Sequence, residues 1–355
     1  MRTAHGDLPL PVFLPDATRA VVRAVDAADL EGAGIRGLMV NALHVAHRPG
    51  ASVVEAAGGL HRFMGWRGPV FTDSGGYQAY SLTRENKALG SVSDEGFTYR
   101  FDRAEEKKLL TPEKSVERQL QLGTDVVITL DQCTHPGAPA AEQRESVRRT
   151  VAWGLRCRAE FARRLNDRPP AGEVPKLFAV VQGGDDPALR RECAEGLLAA
   201  GFDGYGYGGW PVDDDGGLVD AVGVTARLIP DGMPRLALGI GGPENVVAAH
   251  ALGYRLFDCT LPTRDGRHGR LYTFRGGPAA GLAGDWCERV NIGNERFRRE
   301  SGPVEAGCDC ACCARYSRAY LHHLFAIKDA AALRLATIHN LRFFTRLFDR
   351  LRARP

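Results

Sequence analysis

Three cysteines and one histidine near the C-terminus have the types and spacing of a metal site. Cys308, Cys310 and Cys313 fall within six residues, and His339 follows in a segment with helical periodicity. Zinc prefers four tetrahedral sulfur and nitrogen ligands, which a tight cysteine turn and a distant histidine can supply. Disulfide bonds are the alternative, but nine cysteines is an odd number and no secretory signal opens the chain. We therefore predict one zinc ion on these four residues.

A fourth cysteine, Cys312, lies inside the cluster, and we expect it to be a spare thiol that points away from the metal. With all four ligand positions filled by protein, the zinc has no open position for a catalytic water. Its predicted role is structural, because it ties the cysteine loop to the final helix.

Three aspartates that end strand-like apolar runs are candidates for chemistry. Asp73 lies in Thr-Asp-Ser-Gly-Gly-Tyr-Gln, Asp131 in Leu-Asp-Gln-Cys and Asp258 in Phe-Asp-Cys-Thr. One carboxylate that attacks an anomeric carbon, with a second that moves protons, exchanges groups on a sugar by double displacement. A strand-end aspartate is equally often the cap of the following helix, so each residue alone leaves the structural alternative open.

Two Gly-Gly pairs accompany these polar residues. The pair after Asp73 lets a ligand approach the backbone, or serves a tight turn. The pair Gly183-Gly184 follows Gln182, whose amide offers the donor and the acceptor needed to read a base edge. The alternative for this second run is a surface turn.

These residues need a scaffold, and the chain predicts an α/β fold of the (β/α)8 barrel type. Apolar runs that end in Gly, Asp, Asn or Gln alternate with helix-like stretches such as 142–165 and 187–200. Eight buried parallel strands favour a closed barrel over an open doubly wound sheet, and barrel enzymes keep their chemistry where the strands end. The predicted strands are 12–15, 37–41, 70–73, 126–131, 177–182, 205–210, 236–240 and 256–261.

We divide the chain into a barrel domain at residues 1–284 and a zinc-binding subdomain with a C-terminal helix at residues 285–355. Residues near 85–110 are charged and lack a strong apolar period, which indicates an insertion in the barrel domain. Apolar residues from 328 to 354 repeat at helical spacing, so we expect the chain to end in one long amphipathic helix.

The composition, 44% hydrophobic and 25% charged residues, is ordinary for a soluble protein, and no apolar run reaches the roughly 18 residues of a membrane helix. We expect a cytoplasmic protein. The net charge is only +3, but residues 285–355 carry 13 Lys/Arg against 8 Asp/Glu. Such a basic segment either holds a phosphate backbone or is a solvated helix face, and charge alone does not decide.

Two classes of barrel enzyme are disfavoured. A Schiff-base aldolase needs a lysine at the barrel mouth, yet all six lysines lie outside the predicted strand interiors and mouths. A metallohydrolase needs a pattern such as His-x-His at the strand ends, and the sequence has none there. Carboxylate chemistry without a redox cofactor is the reading that is left.

Together these motifs resemble the tRNA-guanine transglycosylases. The resemblance rests on residues 72–78, 181–184 and 257–264 and on the cysteine-histidine quartet. It also takes in residues 48–50, 58–61 and 317–324 in the expected order, so it covers nearly the whole chain. It implies a homodimeric zinc-containing barrel that replaces the anticodon wobble guanine of tRNA with a 7-deazaguanine base, preQ1 or queuine.

The resemblance also implies roles for individual residues. Asp258 matches the nucleophile that attacks C1′ of the ribose and forms a covalent ribosyl intermediate, and Asp73 matches the general acid/base. Other residues match family positions that bind the base: Tyr77 by stacking, Asp131 and Gln182 through their side chains, and Gly209 and Trp210 through their backbone. Three arginines after the nucleophile match contacts to the anticodon backbone, with helix capping or surface charge as the alternative: Arg264, Arg267 and Arg270.

The sequence departs from the family pattern around the base pocket. Gln132 stands where family members commonly have a glutamate, Leu238 where a methionine is common, and residues 210–214 replace a leucine followed by Ala-Val-Gly-Glu. These departures leave the identity of the base open. Two other functions stay open as well: a non-catalytic RNA-binding partner subunit, and a paralogue acting on another tRNA position or on DNA. Retention of Asp73 and Asp258 favours the catalytic function.

Overall fold

Eight parallel strands form the barrel that the sequence predicts. The structure is a computed structural model that describes residues 1–85, 87–167, 169–170, 172–276 and 281–353. Within these residues each barrel strand pairs in parallel with its neighbours. The strands are β1 (Val12–Pro15), β2 (Leu38–Asn41), β3 (Val70–Asp73), β4 (Val126–Ile128), β5 (Lys176–Val181), β6 (Gly204–Tyr207), β7 (Arg235–Leu238) and β8 (Leu256–Cys259).

The barrel closes between β1 and β2. On one side β1 pairs with β8, so that Leu14 lies opposite Asp258. On the other side Asp16 forms a parallel bridge with Met39 of β2, and the N–H of Ala17 donates to the Met39 carbonyl at 2.7 Å. The predicted (β/α)8 fold class is therefore confirmed.

Side chains of one parity fill the barrel interior. Alternate residues of a strand face the same side of the sheet, and the buried interior cluster includes Val12, Leu14, Met39, Phe71, Val126, Ile128, Phe178, Val180, Leu236 and Leu256. The same parity continues to five polar residues at or just past the carboxyl ends of their strands: Asp16, Asn41, Asp73, Gln182 and Asp258. Strand periodicity therefore places these five around one mouth.

Helices surround the barrel and continue into the C-terminal segment. They are α1 (Ala27–Gly32), α2 (Ala42–His47), α3 (Ala51–Ala56), α4 (Gly59–Met64), α5 (Gly76–Glu85), α6 (Pro112–Gln121), α7 (Ala140–Asp167), α8 (Pro187–Ala200), α9 (Asp220–Leu228), α10 (Pro243–Ala251), α11 (Leu261–Arg267), α12 (Arg318–Ala326) and α13 (Ala330–Arg352). Within the described ranges, none of these helices combines the length and apolar character needed to cross a lipid bilayer.

The segment predicted as an insertion contains a three-stranded antiparallel sheet. Its strands are Gly90–Ser93, Gly96–Tyr99 and Lys108–Leu110. Trp153 of α7 packs edge-on against Phe97 at 5.4 Å and donates its indole N–H to the Asp94 carbonyl at 2.8 Å. The small sheet is therefore anchored to α7, while Asn86 lies outside the described residues.

The final helix packs its apolar stripe on the outer face of β1 and β8. Phe344 lies 4.8 Å from Phe13, and Phe348 lies 5.3 Å from Phe257, between ring centroids. Phe13 and Phe257 point outward because their strand neighbours point into the barrel. The C-terminal helix thus covers part of the outer face of the barrel.

The predicted bounds of this helix, 328–354, are wrong at its start. Asp329 is the N-cap, and its carboxylate accepts a hydrogen bond from the Ala331 N–H at 2.8 Å. Lys328 has a φ of 58°, which is not helical. The cap fixes the start at Ala330, and Arg354 lies outside the described residues.

An antiparallel pair follows the barrel. Strand Arg270–Phe274 pairs with Cys287–Asn291, and α13 contacts the first of these strands through Asn340, whose side-chain oxygen accepts from the Tyr272 N–H at 3.2 Å. This pair connects the end of α11 to the cysteine loop.

Candidate active site

Asp73 and Asp258 end β3 and β8 and share the inward parity described above. The Asp73 carboxylate accepts hydrogen bonds from the Asn41 amide at 2.8 Å and from the Gly75 N–H at 3.2 Å. Oδ1 of Asp258 is buried and has no hydrogen-bond partner within the described residues. One carboxyl is thus held in place, whereas the other presents an unpartnered oxygen.

Electrostatics couples these two acids. Burial, and then the nearby Asp16 carboxyl, raises the pKa of Asp73 to about 7, against the hydrogen bonds from Gly75, Ala42 and Asn41. Burial, followed by the charges of Asp16 and Asp73, raises the pKa of Asp258 well above its ordinary value. Buried like charges that interact with one another cannot all ionise together. The mouth therefore retains protons near neutral pH, as a site for proton transfer requires.

Asp16 is a third mouth carboxyl, which the sequence analysis missed. It directly follows β1, and its inward parity was the signal that could have identified it. The Thr18 hydroxyl lies 2.7 and 2.6 Å from the two carboxylate oxygens. Burial raises the pKa of Asp16, and the Thr18 hydrogen bond and the Arg267 charge oppose that rise.

Asp131 and Gln182 lie together, as expected for residues that bind one ligand. The Gln182 amide donates to the Asp131 carboxylate at 2.6 Å. Burial raises the pKa of Asp131 to about 6, against this hydrogen bond. A Cβ at Gly76 would lie 2.8 Å from the Asp131 carbonyl oxygen, so glycine is needed where the loop after β3 meets Asp131.

A buried arginine that the sequence analysis missed holds the loops beside Gln182. Arg190 of α8 donates to the carbonyls of Val181, Gly184 and Gly208 at 3.1, 2.7 and 3.0 Å. Its guanidinium also lies 4.3 Å from the ring centroid of Tyr207. These contacts hold the carboxyl ends of β5 and β6, which are followed by Gln182 and Gly209. Arg190 lies within an amphipathic helix, and nothing local in the sequence distinguishes it from a surface arginine.

Trp210 belongs to an aromatic cluster that includes Tyr77. Its ring centroid lies 6.0 Å from Tyr77, 6.1 Å from Tyr80 and 5.6 Å from His135. The Tyr207 hydroxyl donates to the Trp210 carbonyl at 3.1 Å. Tyr77 is 55% exposed, so its ring is available to a ligand. The structure brings the predicted pair Tyr77 and Trp210 together and adds Tyr80 and His135.

The three predicted phosphate-binding arginines occupy different positions. Arg264 and Arg267 lie on α11, where Arg264 is exposed and Arg267 is half-buried. Burial, then the charges of Arg23 and Arg264, lowers the pKa of Arg267, and Asp16 opposes this. Arg270 begins the next strand, 3.8 Å from Asp265. Arg267 interacts electrostatically with Asp16 at the mouth, whereas Arg270 has Asp265 as its own carboxylate neighbour.

The predicted cysteine and histidine residues converge into one buried group. The Nδ1 atom of His339 lies 3.9, 3.8 and 3.2 Å from the sulfurs of Cys308, Cys310 and Cys313. Its Nε2 lies 2.8 Å from the Tyr272 carbonyl. A carbonyl only accepts, so Nε2 carries the proton and Nδ1 presents a lone pair to the sulfurs. This donor set fits a tetrahedral metal, and Cys312 is not part of it.

A second His and Asp group lies at the opposite end of the barrel. The rings of His5 and His61 stack at 3.4 Å, and both approach Asp125, which accepts from the Val70 N–H at 2.8 Å. Parallel stacked rings point their lone pairs side by side, which is poor geometry for binding one ion. We interpret this group as a structural contact.

Comparison with known proteins identifies a family. A family model described as queuine tRNA-ribosyltransferase matches residues 1–354. Three similar proteins bear the name queuine tRNA-ribosyltransferase. The one from Solidesulfovibrio magneticus is 39% identical over 99% of this chain and 88% of its own length. Those from Syntrophobacter fumaroxidans and Thiobacillus denitrificans are 38% and 37% identical, each over 99% of this chain and over 88% and 90% of their lengths.

Replacing Asp73 with Asn should stabilise the fold above pH 7. The folded-state pKa of Asp73, about 7, lies above the ordinary 3.8. Stability linked to this carboxyl is therefore fully present below 3.8 and is lost as the pH rises through about 7. An uncharged amide avoids that loss, so we expect a gain of about 2 kcal/mol in the free energy of unfolding at pH 8.

Urea unfolding of Asp73→Asn and wild type at pH 8 and pH 5.5 measures this gain, which should shrink at the lower pH. The control is Asp7→Asn, an exposed aspartate at the other end of the barrel. A variant that gains nothing at pH 8 would show that the carboxyl is not destabilised by its surroundings.

Proposed function

Because the chain belongs to the queuine tRNA-ribosyltransferase family, we propose that it exchanges a guanine of tRNA, the anticodon wobble guanine, for a 7-deazaguanine base. The family makes it a pentosyltransferase. The observation that carries the proposal is the pair of electrostatically coupled carboxyls, Asp73 and Asp258, at one barrel mouth. Such a pair supplies both a nucleophile and a proton carrier for glycosyl transfer.

In the first half of the proposed reaction Asp258 acts as the nucleophile. Its unpartnered Oδ1 attacks C1′ of the target ribose and forms an ester bond while the bond between C1′ and the guanine nitrogen breaks. Asp73 gives its proton to the departing guanine. The step therefore needs Asp258 ionised and the proton of the coupled pair on Asp73, so the bound substrate must offset the burial that raises the pKa of Asp258 in the free protein.

In the second half the roles reverse. The incoming base loses a proton to Asp73 and its nitrogen attacks C1′, which breaks the ester and frees the Asp258 carboxylate. One glycosidic bond is broken and one is formed, so no external energy source is needed. A pKa of about 7 suits Asp73 to both tasks, because an acid-base catalyst works best near the ambient pH.

Base recognition falls to the pocket beside the carboxyls. We propose that Asp131 and Gln182 bind the edge of the base, that the Gly209 and Trp210 backbone completes this edge, and that Tyr77 stacks on its face. The contact between Asp131 and Gln182 supports this assignment, and so does the exposure of Tyr77. Stacking with edge hydrogen bonds is the general way to hold an extruded base.

Partner binding completes the proposal. Arg264, Arg267 and Arg270 would contact the phosphate backbone of the tRNA, and two copies of the chain would form a homodimer. The excess of basic residues in 285–355 supports a nucleic-acid partner for this segment, which we propose as a zinc-binding subdomain beside a barrel domain at 1–284.

The Asp258→Asn variant tests the nucleophile. An amide is a poor nucleophile and cannot form the ester, so incorporation of labelled guanine into tRNA should fall by at least about 1,000-fold. The same variant should form no covalent complex with RNA on a denaturing gel. The control, Asp7→Asn, should exchange guanine at the wild-type rate. Exchange that persists in Asp258→Asn would remove this residue as the nucleophile.

Trp210 is a departure from the family pattern, and we propose that it limits the size of the base that the site accepts. Its indole packs against Tyr77, Tyr80 and His135, and in this proposal it forms one wall of the base pocket. A Trp210→Leu variant should accept a larger 7-substituent, so its kcat/KM for queuine relative to preQ1 should rise about 10-fold.

Competition among guanine, preQ1 and queuine in one exchange assay measures this ratio. The matched control is Phe63→Leu, which changes an exposed aromatic residue on α4. An unchanged ratio in Trp210→Leu would place the size limit elsewhere in the pocket.

We further propose that the metal on Cys308, Cys310, Cys313 and His339 is zinc. Three thiolates and one imidazole nitrogen are a typical structural zinc set, and the cluster is closed by protein on all four sides. The ion would hold the cysteine loop against α13 and would take no part in the exchange.

Cys310→Ser tests this assignment. Zinc content should fall from about one ion per chain to near zero, with a lower Tm, because a structural ligand is lost. Cys312→Ser is the matched control, since Cys312 is buried in the same loop but lies outside the donor set. Zinc loss in the control, with retention in Cys310→Ser, would reverse the assignment of the two cysteines.

A further inference from the structure

We propose that Asp16 binds the ribose hydroxyls of the nucleotide at which the exchange occurs, and so makes the site select RNA over DNA. The inference rests on the proposed function, because it assigns a substrate contact within the same site. Asp16 belongs to none of the motifs that indicated the site from sequence.

The strand register places Asp16 beside the proposed nucleophile. Leu14 and Pro15 of β1 lie opposite Asp258 and Cys259 of β8, so Asp16 continues β1 by one residue past that level. Its parity is that of Leu14, which points into the barrel. Asp16 therefore stands at the rim of the mouth next to Asp258.

On its other side Asp16 is bridged to β2, the strand that supports Asp73. The bridge partner is Met39, and two residues further along the same strand Asn41 donates to the Asp73 carboxylate. Around the barrel the order is Asp258, Asp16, Asn41 and Asp73. A sugar held for attack by Asp258 and for proton transfer by Asp73 would lie in front of Asp16.

The Asp16 carboxylate has acceptor capacity that the protein does not use. Within the described residues its hydrogen-bond donors are the hydroxyl and the backbone N–H of Thr18. An ionised carboxylate accepts about four hydrogen bonds. Thr18 therefore orients the group and leaves lone pairs for a ligand. Burial raises the pKa of Asp16, and the hydrogen bond from Thr18 and the charge of Arg267 oppose that rise.

The other polar side chains of the mouth have a hydrogen-bond partner or a role in the proposed reaction. Asn41 donates to Asp73, and Gln182 donates to Asp131. Asp258 is committed to C1′ by the proposed reaction. Asp16 is the remaining mouth carboxylate, and it lies beside the residue that attacks the sugar.

The chemistry of the sugar matches this position. The 2′-hydroxyl is bonded to C2′, the neighbour of the attacked carbon, so a carboxylate beside the nucleophile meets this hydroxyl. Hydrogen bonds from hydroxyl to carboxylate are short and strong, and a carboxylate binds the vicinal hydroxyls of ribose in dinucleotide-binding folds. In glycosyl transfer, bonds to the 2-hydroxyl strengthen in the transition state. The 2′-hydroxyl also distinguishes RNA from DNA.

The experiment pairs an enzyme variant with a substrate variant. The substrates are an anticodon stem-loop RNA and the same RNA with a single 2′-deoxyguanosine at the exchanged position, and the readout is kcat/KM for labelled guanine. For wild type, the deoxy substitution should lower kcat/KM by about 10- to 100-fold, the effect of one lost hydrogen bond to a charged group. Asp16→Ala should lower kcat/KM on RNA by a similar factor. The kcat/KM of this variant should be nearly the same on the RNA and on the deoxy-substituted RNA.

Two further variants complete the design. Asp16→Asn keeps the size of the side chain and an acceptor oxygen, so it should keep part of the discrimination, and it carries the comparison if Asp16→Ala does not fold. Asp7→Ala removes an exposed aspartate at the opposite end of the barrel and should discriminate like wild type.

The inference would be overturned if the Asp16 substitution and the 2′-deoxy substitution lowered kcat/KM independently of each other. If the deoxy substitution costs Asp16→Ala, or Asp16→Asn in its place, as much as it costs wild type, Asp16 does not contact the hydroxyl. This result leaves the proposed function intact, because wild type still exchanges guanine. Absence of exchange by wild type on either substrate would instead overturn the proposed function, and the inference with it.

Discussion

The parallel hydrogen-bond register around the barrel is the constraint on which the candidate site depends. Leu14 must lie opposite Asp258, and Asp16 opposite Met39, for the barrel to close with its apolar residues inside. A slip of one residue would turn the polar strand ends away from the mouth and expose the interior side chains. The apolar interior therefore specifies the register, and the register assembles the carboxyls, although no carboxyl contributes to the packing that fixes it.

The same register creates an electrostatic cost. It brings Asp16, Asp73 and Asp258 into a space where burial and mutual repulsion disfavour their charges. The protein relieves this only in part, with Asn41 on Asp73 and Thr18 on Asp16. Among the residues that the structure describes, Oδ1 of Asp258 has no such partner. In the proposed reaction the substrate would bring hydroxyl donors and a developing positive charge at C1′, which are the partners that these carboxylates lack in the free protein. Such a site is complementary to the transition state.

Much of this architecture follows from strand-level patterns. The bounds 12–15 and 70–73 agree with β1 and β3, and 187–200 agrees with α8, because buried runs and capping residues are local signals. The predicted strands 126–131 and 205–210 were too long, since the chain leaves the sheet after Ile128 and Tyr207 and only single hydrogen bonds continue, such as Gly208 N–H to the Val181 carbonyl.

What sequence did not reveal depends on three-dimensional proximity. Asp16 follows a proline and resembles a turn residue unless the alternation of β1 is continued past the strand. Arg190 lies on a helix, and its contacts to Val181 and Gly208 are set by how α8 folds back over β5 and β6.

The cysteine and histidine cluster likewise joins residues that are distant in the sequence. His339 contacts the cysteine sulfurs, and the next residue, Asn340, donates to the carbonyls of Pro262 and Arg270 at 2.9 and 3.0 Å. Pro262 belongs to α11, which follows Asp258 directly, so a metal that fixes His339 also fixes the segment behind the proposed nucleophile. In the proposed function the cluster would therefore act on the mouth through the position of a helix, and the chemistry would belong to the carboxyls.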